Sequence, residues 1–275
     1  MTTFQKIIKY CATALAVFLI VTIIGGAVTA LLAISGVKNL KNEIKENKAE
    51  FSELKEYTVS SEVEALDIEV GAADIVIEKG DKLTVRYSGV NFDFSEEDGK
   101  LEIENDDDSF LGIDAAGKLV VTVPDKKSFK KVALSAGAGD IFIESLSCGS
   151  LDLDLGAGQI DIDYIRAKND ANIDGGAGEM VIASGDINNL DISLGVGKTE
   201  LKALLTGKST VEAGVGELVL TLQGKKDDYT VFAETGIGEF SVDGERVSDG
   251  YTVGDGAGLV EIEGGIGAVR VNFEE

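Results

Sequence analysis

The chain has 275 residues and a formal net charge of −24 at neutral pH, so it lacks the basic surface that nucleic-acid binding requires. It contains no histidine, and therefore neither the commonest zinc ligand nor the side chain best suited to proton transfer near neutral pH. We expect a protein that is not an enzyme, uses no cofactor and binds no nucleic acid.

The first predicted element is a membrane span. The stretch from Tyr10 to Ile34 contains no charged residue and is rich in aliphatic ones. As a helix it would extend about 37 Å, enough to cross a roughly 30 Å hydrocarbon layer. A cleaved signal peptide ending near Ala30 is the alternative, although the apolar region of a signal peptide is usually shorter. We predict that residues 1–36 form a cytoplasmic tail and transmembrane helix of a single-pass cell-membrane protein.

Positive charges do not settle the orientation of this span. Lys6 and Lys9 precede it, which favours a cytoplasmic N-terminus. Lysines also follow it between Lys38 and Lys48, and a literal count favours the opposite arrangement.

Residues 37–57 are predicted to form a helical stalk or a short coiled coil. Apolar residues and one asparagine recur at spacings of three and four, with Glu and Lys around them, as in a heptad seam. The seam is short, so a solvated helix and a parallel homodimer through the stalk both remain open. Its positions are Val37, Leu40, Ile44, Asn47, Phe51 and Leu54.

Residues 58–275 carry a repeat that predicts a β-solenoid. Its mark is a step of the form Gly-[Ala/Val/Ile]-Gly, preceded by one degenerate copy, Gly71-Ala72-Ala73. In the central run the spacing is 19 or 20 residues, a period typical of solenoids, whose coils bury their apolar faces against one another. We expect regular repeats in 136–238, an N-terminal cap region in 58–135 and a C-terminal cap in 239–275. The steps begin at Gly137, Gly156, Gly176, Gly195, Gly214, Gly236 and Gly265.

Alignment on the first glycine of each step separates inward from outward positions. Apolar residues stand three residues before it and four and six residues after it, alternating with polar ones, which predicts two strands per coil. The central residue of the step grows from Ala in the early repeats to Val196, Val215, Ile237 and Ile266. This gradient suggests a core that widens or repacks towards the C-terminus.

Two outward rows are rich in carboxylates. Stacked strands lie about 4.8 Å apart, and like charges at that separation in water repel by roughly 0.9 kcal/mol. We interpret the rows as a solvated face that keeps the β-structure soluble; the other interpretation is a calcium site along one row. The candidate calcium ligands are Asp154, Asp174, Glu212 and Glu234.

The repeat unit resembles that of a known bacterial family. Residues 150–163, with the sequence SLDLDLGAGQIDID, residues 260–273 and the early stretch 74–85 are similar to the bacterial "putative adhesin" β-strand-repeat family. The resemblance covers residues 62–275 and implies a right-handed β-solenoid in a bacterial envelope protein, often beside one membrane span. It implies no catalytic residues, because none are established for the family. On this basis we expect the C-terminal domain to be extracytoplasmic, against the lysine count.

Three functions are compatible with these features. The first is a membrane-anchored, non-enzymatic extracytoplasmic scaffold or adhesin-like binding module of the bacterial cell envelope, one version of which acts beside an envelope-stress sensor. Its partner would be an envelope protein or a cell-wall component. The second is a bactofilin-like polymerising scaffold, against which the irregular end segments argue, because caps block end-to-end stacking. The third is a glycan-processing β-helix enzyme with an acid/base pair drawn from Asp152, Asp154, Asp161 and Asp163, although these carboxylates repeat in ladders.

Overall fold

The computed structural model describes residues 54–89, 91–105, 117–234, 236–248 and 250–275, which form an all-β structure. The predicted membrane span and the stalk up to residue 53 lie outside the described residues. Within the described ranges, no helix has the length and apolar character that crossing a membrane requires.

The end of the predicted stalk is a strand and not a helix. Lys55–Tyr57 pair antiparallel with residues 85–87. The preceding residue, Leu54, packs on a buried cluster of Val76, Val120 and Phe142. Contacts with the solenoid therefore determine the local conformation here, and Leu54 is not a seam position of a coiled coil.

The described residues contain twenty strands and a 3₁₀ turn at Lys226–Asp228. In chain order the strands are β1 Lys55–Tyr57, β2 Ala65–Gly80, β3 Thr84–Ser88, β4 Asp93–Glu97, β5 Lys100–Asn105, β6 Gly117–Pro124, β7 Phe129–Ala138, β8 Ile141–Ile143, β9 Leu146–Ile162, β10 Ile165–Ile182, β11 Gly185–Asn188, β12 Leu190–Thr206, β13 Lys208–Glu212, β14 Val215–Gln223, β15 Tyr229–Glu234, β16 Ile237–Val242, β17 Glu245–Arg246, β18 Tyr251–Val253, β19 Gly258–Glu263 and β20 Ile266–Glu274.

These strands form stacked coils joined by parallel ladders. β9 pairs with β10, and β10 pairs with β12, so that equivalent residues of successive repeats are neighbours. The central coils, from β7 to β12, have three β segments and not the two predicted, because a register shift, between Ala167 and Asp170 in β10, separates a short first segment from the second. The first segment adds a buried row that the repeat pattern did not single out: Phe129, Cys148, Ala167, Ile187 and Leu205.

The inward rows predicted from the repeat are confirmed. The row three residues before each step runs from Ile68 through Ile173 to Ile262, and every member is buried. The rows four and six residues after the step are buried along the whole stack as well. One continuous apolar core therefore runs along the solenoid.

The prediction that the central residue of the step contributes to the core is wrong. Ile237 is 75% exposed and Ile266 is 53% exposed. The reason is a corner in the backbone: the second glycine of each step has a positive φ, 149° at Gly178. The corner interrupts the alternation of a strand, so that Leu155 and Ile160 both face the core. The residue between the two glycines then faces solvent.

The order of the coils in the stack differs from their order in the chain at both ends. Near the C-terminus, β20 lies between β14 and β16 and pairs with both in parallel. Near the N-terminus, β2 lies between the coil of β5 and β6 and the coil of β7 and β8. A strand paired along both edges has its backbone groups satisfied, so the first long strand and the last strand are both held inside the stack.

Antiparallel strands cover the outermost coil at each end, but not equally. β3 forms five residue pairs with β6, and β4 forms five with β5. At the other end, β18 forms three pairs with β15, and β17 forms two pairs with β16, at Ser241 and Val242. The outer edge of β16 from Ile237 to Glu239 is therefore uncovered by any strand in the described residues.

Candidate docking surface

A row of exposed apolar residues follows one corner of the solenoid. We define the corner stripe as Val196, Val215, Ile266 and Ile237, which are consecutive in the stack. Their exposed fractions are 46%, 39%, 53% and 75%. Of the large hydrophobic residues exposed in the described chain, Leu204 alone lies outside this row. The increase from Ala to Val to Ile thus enlarges an outer surface and not the core.

The glycines on both sides of each stripe residue keep this surface open. They carry no side chain that could fold over the stripe, and a Cβ on either one would meet the backbone of the next coil. The glycine steps line a long groove that reaches nearly buried side chains such as Thr199 and Phe240. At about 4.8 Å per coil, the four stripe residues span about 14 Å.

Carboxylates border the wide end of the stripe, where the larger residues Ile266 and Ile237 lie. Glu212, Glu263 and Glu234 are consecutive in the row two residues before the step. Glu239 lies on the other side, three residues after the start of the outermost step. All four are exposed, and none has an ion pair with another residue that the structure describes. The stripe therefore ends in an apolar surface with negative charge on both sides.

Elsewhere in the stack, a cation on one coil often neutralises a carboxylate on the next. Lys208 lies 2.8 Å from Glu261 on the neighbouring β19, and Arg166 lies 2.5 Å from Asp186 on β11. Arg270 pairs in the same way with Glu217. Exposed pairs of this kind contribute little individually. By comparison, Glu234 and Glu239 on the outermost coil lack a cation from a neighbouring coil in the described part of the chain.

The structure separates the four candidate calcium ligands into two places. Asp154 and Asp174 are direct neighbours between β9 and β10. Glu212 and Glu234 are not neighbours, because the insertion of β20 and β19 places Glu263 between them. Across the described ranges, no three acidic or cysteine side chains are grouped so that they could hold a metal ion.

The four carboxylates proposed for glycan chemistry lie on both sides of the corner. Asp152 and Asp154 precede it on β9, whereas Asp161 and Asp163 follow it. The Asp152 carboxylate pairs with Lys131 at 3.9 Å and accepts a hydrogen bond from Asn172 Nδ2 at 3.5 Å. None of the four lines the groove at the glycine steps. They form two separate outward-facing pairs and not one convergent site.

Three groups with shifted pKa values lie away from the stripe, whereas Lys198 beside Val196 has its pKa raised by its hydrogen bond with Glu200. Burial raises the pKa of the Cys148 thiol to about 12, so this thiol is not a nucleophile near neutral pH. Burial also raises the pKa of Asp140, which donates from its backbone N–H to Asp74 Oδ1 at 3.1 Å. Hydrogen bonds from the Ser61 hydroxyl and the Ser60 backbone lower the pKa of Glu96 to about 2.

Stacked coils with a glycine corner define this chain as an all-β repeat protein of solenoid type. The chain belongs to the family described as Toastrack DUF4097, whose model matches residues 63–260. This confirms the resemblance to the bacterial adhesin-type repeat family.

Three solved structures that are similar to this chain come from bacteria. A "putative cell adhesion protein" from Clostridium sporogenes is 17% identical, with 81% of this chain and 100% of that chain covered and a TM-score of 0.35. A "putative adhesin" from Bacteroides fragilis is 15% identical, with 79% and 95% covered and a TM-score of 0.41. A "putative adhesin" from Parabacteroides merdae is 14% identical, with 81% and 95% covered and a TM-score of 0.35. No curated protein matches the chain.

Proposed function

We propose that the chain is a membrane-anchored, non-enzymatic binding module whose solenoid is extracytoplasmic in the bacterial cell envelope. The observation that carries the proposal is the corner stripe. Apolar residues exposed singly are normal on a soluble protein, but an aligned, widening row with a polar border is typical of an interaction surface. The outward carboxylates form ladders, an arrangement that favours solvation and binding over acid/base chemistry.

The connection between the domain and its predicted anchor supports a distal position for this surface. Leu54 and Tyr57 attach the incoming chain to the N-terminal end of the stack, where the Tyr57 ring stacks on Phe94 at 4.4 Å. Ile237 lies on the outermost coil at the opposite end. Eight coil spacings of about 4.8 Å separate the two ends, about 38 Å in all. An anchor at Tyr10–Ile34 would thus leave the widest part of the stripe far from the chain that leads to the membrane.

An interaction surface held away from the membrane also fits the narrower role beside an envelope-stress sensor. In that version, the solenoid would engage another envelope protein or a cell-wall component, and binding would be the signal. The absence of histidine from the whole sequence is consistent with a role in binding and not in proton transfer.

The location of the domain can be tested with full-length protein carrying an epitope tag before Lys6. We expect protease added to intact protoplasts to remove the solenoid while the tag remains protected, and detergent to expose both. Full protection of the solenoid in intact protoplasts would contradict the proposal. Loss of the tag from the mature protein would instead support the signal-peptide alternative and contradict the anchor.

A further inference from the structure

We propose that the open edge of β16 binds an extended protein segment with a central apolar side chain and basic side chains on both sides of it. The segment would add one strand to the outermost coil, beside Ile237, Glu234 and Glu239. This inference rests on the proposed binding function and deepens it by naming the surface and the chemistry of the partner.

The backbone of β16 offers the first element of such a site. Ile237 donates its N–H inward to the Gly265 carbonyl at 2.9 Å. Alternate residues of a strand direct their backbone groups to opposite edges, so the N–H and C=O of Gly238 face outward. The cover by β17 begins only at Ser241, and Val247 N–H reaches the Phe240 carbonyl at 3.1 Å. A short length of edge is thus available for strand addition, a recurring mode of peptide recognition.

The corner stripe provides the second element. Each member is in register with an apolar residue on the adjoining coil, and Ile237 has such a neighbour, Ile266, on only one side. Its 75% exposure is the largest in the stripe. An apolar residue on an added strand would continue the row and cover the open side of Ile237.

The negative charges beside Ile237 favour basic side chains on the partner. Glu234 and Glu239 lie on opposite sides of Ile237, and neither has an ion pair within the described chain. Glu234 ends an acidic row beside Glu263, whereas Glu239 is next to Ala268. The stack itself neutralises carboxylates with cations from the next coil, as in Lys208 with Glu261. Lysine or arginine on both sides of the central apolar residue would repeat this arrangement across the new ladder.

The same charges disfavour a second copy of this chain as the occupant. The outermost coil presents carboxylates on both sides of Ile237, and the whole chain carries a net charge of −24. End-to-end pairing of two copies would bring these carboxylates together without added cations. We therefore assign the edge to a different, basic partner.

The test is a titration of the full-length chain, purified in a non-ionic detergent, with a fluorescent peptide that carries lysine three residues before and two residues after a central isoleucine, the spacing of Glu234, Ile237 and Glu239. Matched peptides replace both lysines with glutamate, replace the central isoleucine with serine, or carry N-methyl groups on the amides that would face β16. We expect binding of the isoleucine–lysine peptide alone, weakening as salt rises. No binding, or equal binding of any matched peptide, would overturn the proposal.

Variants of the chain locate the site. We expect Ile237→Ser, and separately the double variant Glu234→Lys with Glu239→Lys, to weaken binding by roughly tenfold or more. Leu204→Ser, and Asp81→Lys with Asp125→Lys, should leave binding unchanged. These controls alter an exposed leucine outside the stripe and two exposed carboxylates at the other end of the stack. Melting curves establish that each variant is folded.

Equal binding by Ile237→Ser and the unaltered chain would overturn the proposal, as would equal loss in the controls. Dimers that dissociate in Ile237→Ser would instead assign the edge to a second copy of the chain. The titration does not depend on where the domain lies in the cell. Its failure is thus distinguishable from a failure of the proposed function, which the protoplast experiment tests.

Discussion

Gly176 lies so close to Gly156 on the neighbouring coil that a Cβ atom on Gly176 would come within 1.7 Å of the Gly156 carbonyl oxygen. The backbone fixes the position of the Cβ atom, and the oxygen is itself a backbone atom, so rotation of a side chain cannot relieve the overlap. The adjacent Gly175 differs, because its nearest neighbour would be Met180 Cε at 3.4 Å. Close contact between coils therefore requires glycine at position 176 but not at position 175.

We expect Gly176→Ala to lower the free energy of unfolding by about 1–3 kcal/mol or more, because the coils must move apart. Gly175→Ala is the matched control and should be neutral or stabilising by up to about 1 kcal/mol, since alanine restricts the unfolded chain more than glycine does. Urea denaturation followed by circular dichroism measures both. Equal effects of the two substitutions would contradict the role of close coil contact.

Tyr229 is a second buried group that tests the packing of the C-terminal coils. It is 1% exposed, and its hydroxyl donates to the Gln223 carbonyl at 2.6 Å and accepts from Leu205 N–H at 3.3 Å. We expect Tyr229→Phe to destabilise the chain by about 1–3 kcal/mol, because the buried Leu205 N–H and the partly buried Gln223 C=O both lose their partner. Tyr251→Phe is the control: its hydroxyl has no hydrogen bond to the described residues, and it should change stability little. A similar loss in both variants would point to ring packing and not to the hydroxyl.

The Glu96 carboxylate attaches the incoming chain to the N-terminal end of the stack. It accepts hydrogen bonds from Tyr57 Oη at 2.9 Å and from the Ser60 backbone at 3.0 Å. Its pKa in the folded chain is lowered from 4.5 to about 2, so the ionised form favours folding. This contribution is complete above the unfolded-state pKa and disappears as pH falls through the folded one.

Glu96→Gln should therefore melt at a lower temperature than the unaltered chain at neutral pH. The difference should shrink as pH falls below the ordinary carboxyl range and vanish near the folded-state pKa of about 2. Melting curves across acidic pH measure this trend. Glu97→Gln, an exposed neighbour on β4, serves as the control. A difference between Glu96→Gln and the unaltered chain that is independent of pH would contradict the assignment.

The carboxylate row containing Asp154 and Asp174 should respond to ionic strength and not specifically to calcium. Calcium takes about six to eight oxygen ligands around the ion, whereas these two residues lie along a flat ladder beside Ser135 and Ser193. We expect equal melting shifts in calcium and in sodium of matched ionic strength. Asp174→Asn should stabilise the chain slightly at low salt, by less than about 1 kcal/mol, because it removes a repulsion. A calcium-specific shift that Asp174→Asn abolishes would establish a site.

Much of the core could be predicted from the repeat alone. Ile173 and its equivalents recur at a period that only a stacked structure can bury, and the side chains of a strand alternate between its faces. The corner could not be predicted in this way. Alternation carried through the step assigns Val196 and Ile237 to the interior, and only the positive φ of the second glycine reverses that assignment. The sequence therefore shows the candidate site as an increase in side-chain size from Ala to Ile, but alternation predicts that these side chains face the core, whereas they face solvent.

The sequence by itself determined which residues each coil buries, because burial depends on positions within one repeat. It did not determine which coil lies beside which. All coils present similar backbone edges and similar apolar rows, so an order that follows the chain and an order with β20 inserted before β16 are equally consistent with the pattern. Tertiary structure decides between them through non-local pairing: Val215 neighbours Ile266, and Ile266 neighbours Ile237. That choice places Glu263 between Glu212 and Glu234 and leaves Ile237 on an open edge, because ladder pairing is a property of whole strands and not of a repeat.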